Sequence, residues 1–312
     1  MNWLKIIDSW NSWPVIWISA WVHWNEKAWV EALEKFYNNF LSKEIRLTRW
    51  KIIFILEANE EALKEDKRFV KHDLNRCINN YSEEYDEDDY EIKRWKEIKE
   101  LIDKNNPDYW LDLHTVSAQN ATPYLFSWVE WYDLAKDFWI SNIAINWSNA
   151  TNTSDEPNDI INTNQKNQWV ADYVNYIWKK GYTFEAWSHS SLEGAENSYN
   201  AIINFLLSLN MIEGEWLEKV NIWWNEEKHV HMEYRPIIKW NFRYKDNKNP
   251  WSFTYFKKWE VIWHEIVDWE EKEVKAKMDG YIILPKDPKI CIKWKEVFYF
   301  WRDIRKIKNL KK

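Results

Sequence analysis

Pro14-Val-Ile-Trp-Ile-Ser-Ala-Trp-Val-His-Trp-Asn-Glu-Lys-Ala-Trp29 is the stretch on which the fold turns. Its first half is a short run of mostly β-branched or aromatic residues, the pattern of a buried strand. A turn carrying His23 and Glu26 follows. Residues 27–40 then read as a helix, with Val30, Leu33, Phe36 and Tyr37 at three- and four-residue spacing. An imidazole and a carboxylate therefore sit where a strand hands over to a helix. Open α/β sheets bind their ligands at the carboxyl ends of strands. His23 and Glu26 can both turn toward one ion there. Taken alone, the pair also reads as a surface His beside a helix-start Glu that favours the positive end of the helix dipole.

Outward from this unit the same grammar repeats. Residues 51–57 form a nearly continuous apolar run, as in a buried parallel strand. Residues 82–89 are strongly acidic and read as a solvated loop. Residues 91–103 carry Ile92, Trp95, Ile98 and Ile102 on one helical stripe, ended by Pro107. Tyr109-Trp-Leu-Asp-Leu-His114-Thr is a strand ending in a histidine, and 124–126 and 140–145 are further strand candidates. Residues 146–167, rich in Asn, Thr, Ser and Asp, form a long loop of the kind that often closes over a site. A helix over 168–179 leads to Gly181-Tyr-Thr-Phe-Glu185-Ala-Trp, another short strand with a carboxylate near its end. A second amphipathic helix covers 192–209. This alternation predicts an α/β fold, a mostly parallel or mixed sheet flanked by helices. After about residue 215 short alternating segments predict a smaller all-β unit. The expected division is a catalytic domain over 1–215 and a β-rich domain over 216–312.

Composition excludes several classes. A net charge of −7 without a basic cluster argues against nucleic acid. No apolar run is long enough to span a membrane and the start lacks a signal-peptide pattern, so a soluble cytoplasmic protein is expected. Cys77 and Cys291 suggest neither a disulfide framework nor a cysteine metal site. One count is abnormal: the chain has 27 Trp and only 4 Gly, where about 7% usage would place about 22 Gly. Trp24, Trp240 and Trp269 stand where turns want glycine. The expectation is that most of these Trp are glycines encoded by UGA, a codon that some bacterial lineages read as glycine; UGG at these positions would exclude it.

Three strands thus carry polar residues near their carboxyl ends, His23/Glu26, His114 and Glu185, and a fourth segment adds Arg68, Asn75 and Arg76. Each has a bland reading. His114 can be a hydrogen-bonded histidine, Glu185 can pair with Lys179 or Lys180, and the Asp73 segment can be a helix cap. Together they form a candidate active site.

Val22-His-Trp-Asn-Glu26, read with glycine at Trp21, Trp24 and Trp29, resembles the His-x-x-Glu motif of the succinylglutamate desuccinylase/aspartoacylase family. Asp73-Leu-Asn-Arg76, Asp112-Leu-His114-Thr and Thr183-Phe-Glu185-Ala-Trp-Ser-His189 resemble that family's further motifs in order and spacing, over about residues 14–210. Lys258-Trp-Glu-Val-Ile-Trp263 and Asp279-Gly-Tyr281 are similar to its C-terminal part. The resemblance implies a zinc carboxypeptidase-like fold. It implies that His23, Glu26 and His114 hold Zn2+ and that Glu185 is the general base. It further implies that Arg68 polarises the scissile carbonyl and that Asn75 and Arg76 grip a substrate carboxylate. Asp112 would either support a ligand from behind or point its side chain away from the ligands.

The chain departs from the family at Glu60 and Glu61, where relatives often have Pro-Arg. It has no arginine between Leu113 and Glu185, where aspartoacylases keep a further anion anchor, which argues against N-acetylaspartate as substrate. The expected activity is zinc-dependent hydrolysis of the amide of an N-acyl amino acid. The alternatives are a metallocarboxypeptidase-type peptidase trimming terminal residues and a catalytically idle binding protein of the same fold; metal content and a substrate panel discriminate them. The acyl group, the amino acid and the oligomeric state stay open at this level.

Overall fold

The computed structural model describes residues 3–9, 14–20, 28–49, 51–65, 67–74, 77, 86–116, 120–145, 173–174, 177, 179–189, 191–223, 226–234, 236, 240–289, 291 and 297–307. The strands are β1 (Leu4–Asp8), β2 (Val15–Ala20), β3 (Arg46–Leu47), β4 (Lys51–Ile55), β5 (Tyr109–Val116), β6 (Tyr124–Ser127), β7 (Asn142–Ile145), β8 (Lys180–Ser188), β9 (Ile212–Glu213), β10 (Lys228–Tyr234), β11 (Asn241–Tyr244), β12 (Thr254–Phe256), β13 (Val261–Val267), β14 (Glu270–Lys275), β15 (Gly280–Ile283) and β16 (Tyr299–Asp303). The α-helices are α1 (Ala28–Leu41), α2 (Glu60–Lys64), α3 (Tyr90–Asn105), α4 (Tyr132–Lys136) and α5 (Glu193–Ser208).

One mixed sheet runs β1-β4-β2-β5-β8-β6-β7-β10-β16-β15-β12. Its centre, β4-β2-β5-β8, is parallel. Strand β6 then runs antiparallel to β8, and β7 and β10 follow β6 in parallel. The expected α/β architecture is present, with a further three-stranded sheet, β11-β13-β14, built by the C-terminal residues. Four of the late strands, β10, β12, β15 and β16, do not stand apart but extend the central sheet. Alternating patterns identify strands, not partners, which is why this continuation was not expected from the sequence.

Alternation sorts the central strands onto two faces. Ile16, Ile18, Leu111, Leu113, Tyr182 and Phe184 point to the side covered by α1 and α5, where Leu33, Phe36, Ile202 and Phe205 meet them. Near the start of α5 a Cβ on Gly194 would come within 3.1 Å of the Ala28 Cβ, so glycine there lets the N-terminal ends of α1 and α5 close up. Trp17, Ile53 and Trp110 point to the other side, against Ile92, Trp95, Ile98 and Ile102 of α3. Asn106, in the left-handed conformation at φ 44, caps α3 by donating to the Ile102 carbonyl, and Pro107 prevents continuation.

The helix expected over 168–179 and the loop expected over 146–167 lie almost entirely outside the described residues. Among the described residues no helix is long and apolar enough to cross a membrane.

Candidate active site

On the face that packs against α3, two apolar clusters leave a gap. One contains Trp17, Ile53 and Trp110; the other contains Tyr124, Phe126, Ala144 and Met232. Asp112, His114 and Glu185 occupy the strand positions between them. In the parallel β5–β8 pair His114 lies opposite Glu185, and in the antiparallel β6–β8 pair Tyr124 lies opposite Glu185. Residues opposite each other project to the same face, so His114, Glu185 and Tyr124 form one row. Strand β8 places Glu185 near its carboxyl end, as expected, and runs on to Ser188 through a register shift that leaves Glu185 the last regular partner before the irregularity.

His114 is held from behind. The Asp112 carboxylate sits 2.8 Å from His114 Nε2 and accepts from Ser19 Oγ at 2.7 Å. Ser19 in turn accepts from Trp110 Nε1 at 2.7 Å. All of these polar side chains are buried. Burying a carboxylate without partners is costly, and this chain of bonds supplies them. It also commits Nε2, so that any contact between the ring and an ion falls to Nδ1.

The loop after β4 is held over the same face. Asn59 caps α2 by accepting from the Ala62 amide at 3.2 Å and donates to the buried Glu91 of α3. The Glu91 carboxylate accepts from the Val70 and Lys71 amides at 2.7 and 3.3 Å. Leu74 and Cys77, both buried, anchor the following segment in the α3-side cluster. This places Arg68 on a tethered loop, half-exposed, donating to Asp73 Oδ2 at 3.2 Å. Asn75 and Arg76, flanked by those two anchors, lie outside the described residues, as do His23 and Glu26 between β2 and α1. Burial, then the Glu91 and Asp73 charges, push the Cys77 thiol up to about 12, which leaves it a packing group and no nucleophile.

The structure thus brings His114 and Glu185 together and sets Arg68 in an ion pair. Among the described residues no group of three or more His, Cys, Asp and Glu gathers around one point, and two of the three expected ligands are not among them. Ser19, Glu91 and Tyr124 escaped sequence reasoning. The signal for Ser19 was present: a lone hydroxyl inside an otherwise apolar buried strand needs a partner.

Comparison with known proteins places the chain beside one family. Residues 12–151 match the model of the succinylglutamate desuccinylase/aspartoacylase catalytic domain. A succinylglutamate desuccinylase of Pseudoalteromonas atlantica is 33% identical over 107 residues, which is 31% of this chain and 30% of that protein. One of Pseudomonas paraeruginosa is 37% identical over 67 residues, 22% and 20% of the two chains. The matched stretches therefore span under a third of these curated relatives. The fold agrees over nearly the whole chain. A succinylglutamate desuccinylase/aspartoacylase structure from Rhodobacter sphaeroides has a TM-score of 0.70 at 14% identity, covering 96% of this chain and 88% of its own. The product-bound ectoine utilization protein EutE of Ruegeria pomeroyi gives 0.69 at 13% identity, with the same coverage.

Proposed function

We propose, from the premise that this chain belongs through residues 12–151 to the succinylglutamate desuccinylase/aspartoacylase family, that it is a zinc-dependent deacylase. It would hydrolyse the amide of an N-acyl amino acid. The observation that carries this reading is the row on the sheet face, His114 beside Glu185, with His114 pinned by Asp112. A histidine ligand whose other ring nitrogen faces a carboxylate is the arrangement that zinc sites use to fix ring and tautomer. The donor set His23, Glu26 and His114 suits zinc and leaves one coordination position for water or substrate. When bound, the ion lowers the pKa of water toward about 7 and polarises the amide carbonyl.

The remaining work falls to protein groups. Glu185 takes the proton of the water that adds to the amide carbon and delivers it to the nitrogen as the C–N bond breaks. An acyl carboxylate and a free amino acid leave. Arg68 carries its charge on the loop tethered by Glu91 and turns from Asp73 to the developing oxyanion. Asn75 and Arg76 hold the amino acid's carboxylate, an Arg fork being suited to two parallel bonds. N-succinylglutamate is the first substrate to test, because the curated relatives bear that name.

Three measurements on one preparation test this: zinc content, melting temperature, and turnover of a panel of acyl amino acids and short peptides. The expected result is about one zinc per chain and hydrolysis of an acyl amino acid. Glu185→Gln should keep zinc and fold while kcat falls by about 10²–10⁴-fold. Full activity of that variant would end the role given to Glu185. Preferential cleavage of peptides would move the reading to a peptidase.

A further inference from the structure

Tyr124 completes the polar row from the strand on the far side of Glu185. Its ring is fully buried, edge-on to Phe126 at 4.8 Å and to Phe253 at 5.9 Å between centroids. Its hydroxyl is buried and has no hydrogen-bond partner among the described residues. An unpaired buried hydroxyl weakens a fold, and phenylalanine would fill the same space without that penalty. Burial, with the Glu185 charge next, pushes the phenol's pKa well above its ordinary value. The group is therefore a neutral hydrogen-bond donor at any working pH.

Catalytic hydrogen bonds are often long before substrate binds and tighten in the complex. Resting on the role of Glu185 as general base, we infer that Tyr124 is a positioning residue whose O–H donates to the Glu185 carboxylate in the substrate complex and fixes which oxygen faces the reacting amide.

The test uses Tyr124→Phe and Glu185→Gln, singly and together, in the full chain, with the acyl amino acid that the unaltered protein cleaves fastest. Tyr124→Phe should leave the melting temperature unchanged or higher, hold KM within about twofold and lower kcat about tenfold. In the Glu185→Gln background it should cost nothing further, because the two groups act as one unit. Full kcat in Tyr124→Phe alongside a crippled Glu185→Gln overturns this inference alone. So does an additive double variant, or a melting temperature that falls with kcat. An active Glu185→Gln, or an unaltered protein that cleaves no acyl amino acid, overturns the general-base reading and this inference with it.

A second inference stands on a separate observation. Trp139, Trp223, Trp259 and Trp269 hold φ at 54°, 72°, 72° and 69°, and no described glycine has positive φ. A Cβ is disfavoured there and glycine is not. In the turn closed by Glu260 N donating to Lys257 O at 2.9 Å, Trp259 takes the third position, which in a type II turn belongs to Gly or Asn. Asp268 and Trp269 alone join β13 to β14, both at positive φ, the place of an Asp-Gly pair. Buried indoles misfit differently: Nε1 of Trp17, Trp29 and Trp263 is buried with no partner among the described residues, although buried indole N–H groups usually find one.

We infer that positions 139, 223, 259 and 269 are glycine in the natural gene product, their codons being UGA read as glycine. Sequencing the gene and measuring the masses of tryptic peptides from the natural source should give UGA and glycine at 139, 223, 259 and 269. UGG codons, or tryptophan in those peptides, overturn it.

Discussion

On the α3-side face of the central sheet, Asp112, His114, Glu185 and Tyr124 put polar atoms where neighbouring positions carry Trp, Ile and Phe. On the outer hairpin β13–β14, Trp269 puts an indole where the backbone asks for no side chain. Both regions break a local rule, but they differ in what surrounds the breach. Around His114 it is compensated: Ser19 and Asp112 form a bonded chain that ends on the imidazole. At Trp269 nothing compensates, since the residue is 98% exposed. Proteins violate local consistency at functional sites and support the violation nearby. An unsupported violation far from any site says something about the sequence itself.

The largest effect that sharpens this contrast is expected at Asp112. Asp112→Asn keeps size but removes the charge that holds His114 in one tautomer. Groups in this position typically contribute about 10–100-fold to metal affinity or activity. Zinc retention after dialysis and kcat on the same sample check it. Unchanged zinc affinity would break the claim that the polar row is a metal-supporting unit.

The row was partly legible in the sequence and partly not. His114 and Glu185 could be singled out because each sits in an apolar strand run. Their adjacency could not, because β5 and β8 neighbour each other across a long stretch of chain and strand order is not written in periodicity. Tyr124 was hidden for another reason. It reads as one more aromatic strand residue until β6 turns out antiparallel to β8, which sets Tyr124 opposite Glu185 on the same face. The extension of the sheet by β10, β16, β15 and β12 was illegible on the same ground. The glycine shortage was fully legible as a count, but only backbone angles show which tryptophans hold a conformation that favours glycine.

A smaller effect is expected where glycine is written as glycine. A Cβ on Gly280 would lie 2.3 Å from the Trp301 carbonyl oxygen, a backbone atom that cannot step aside. Gly280→Ala should therefore destabilise by about 1–3 kcal/mol, the usual range for forced overpacking. Denaturant titration measures it. A neutral result would show that β15 and β16 can separate at little cost, and would weaken the use of backbone geometry to locate obligatory glycines.

The smallest effect, and the most diagnostic for the hairpin, is at Trp269. The indole is exposed, so Trp269→Gly forfeits no packing. Removing a left-handed Cβ relieves about 1–2 kcal/mol, while glycine adds roughly 0.4–1 kcal/mol of unfolded-chain entropy to be lost on folding. Relief exceeds the entropy term, so the net gain is of the order of 0.5–1 kcal/mol, and the melting temperature of a chain this long should rise by about 1–1.5 °C. Trp269→Ala is the control. It removes the same indole but keeps the Cβ at φ 69°, so its melting temperature should stay where it was. Equal rises in both variants would place the burden on the exposed indole and not on the backbone. A fall in the glycine variant alone would mean that the Asp268–Trp269 turn does not want glycine, and the inference at this position would go with it.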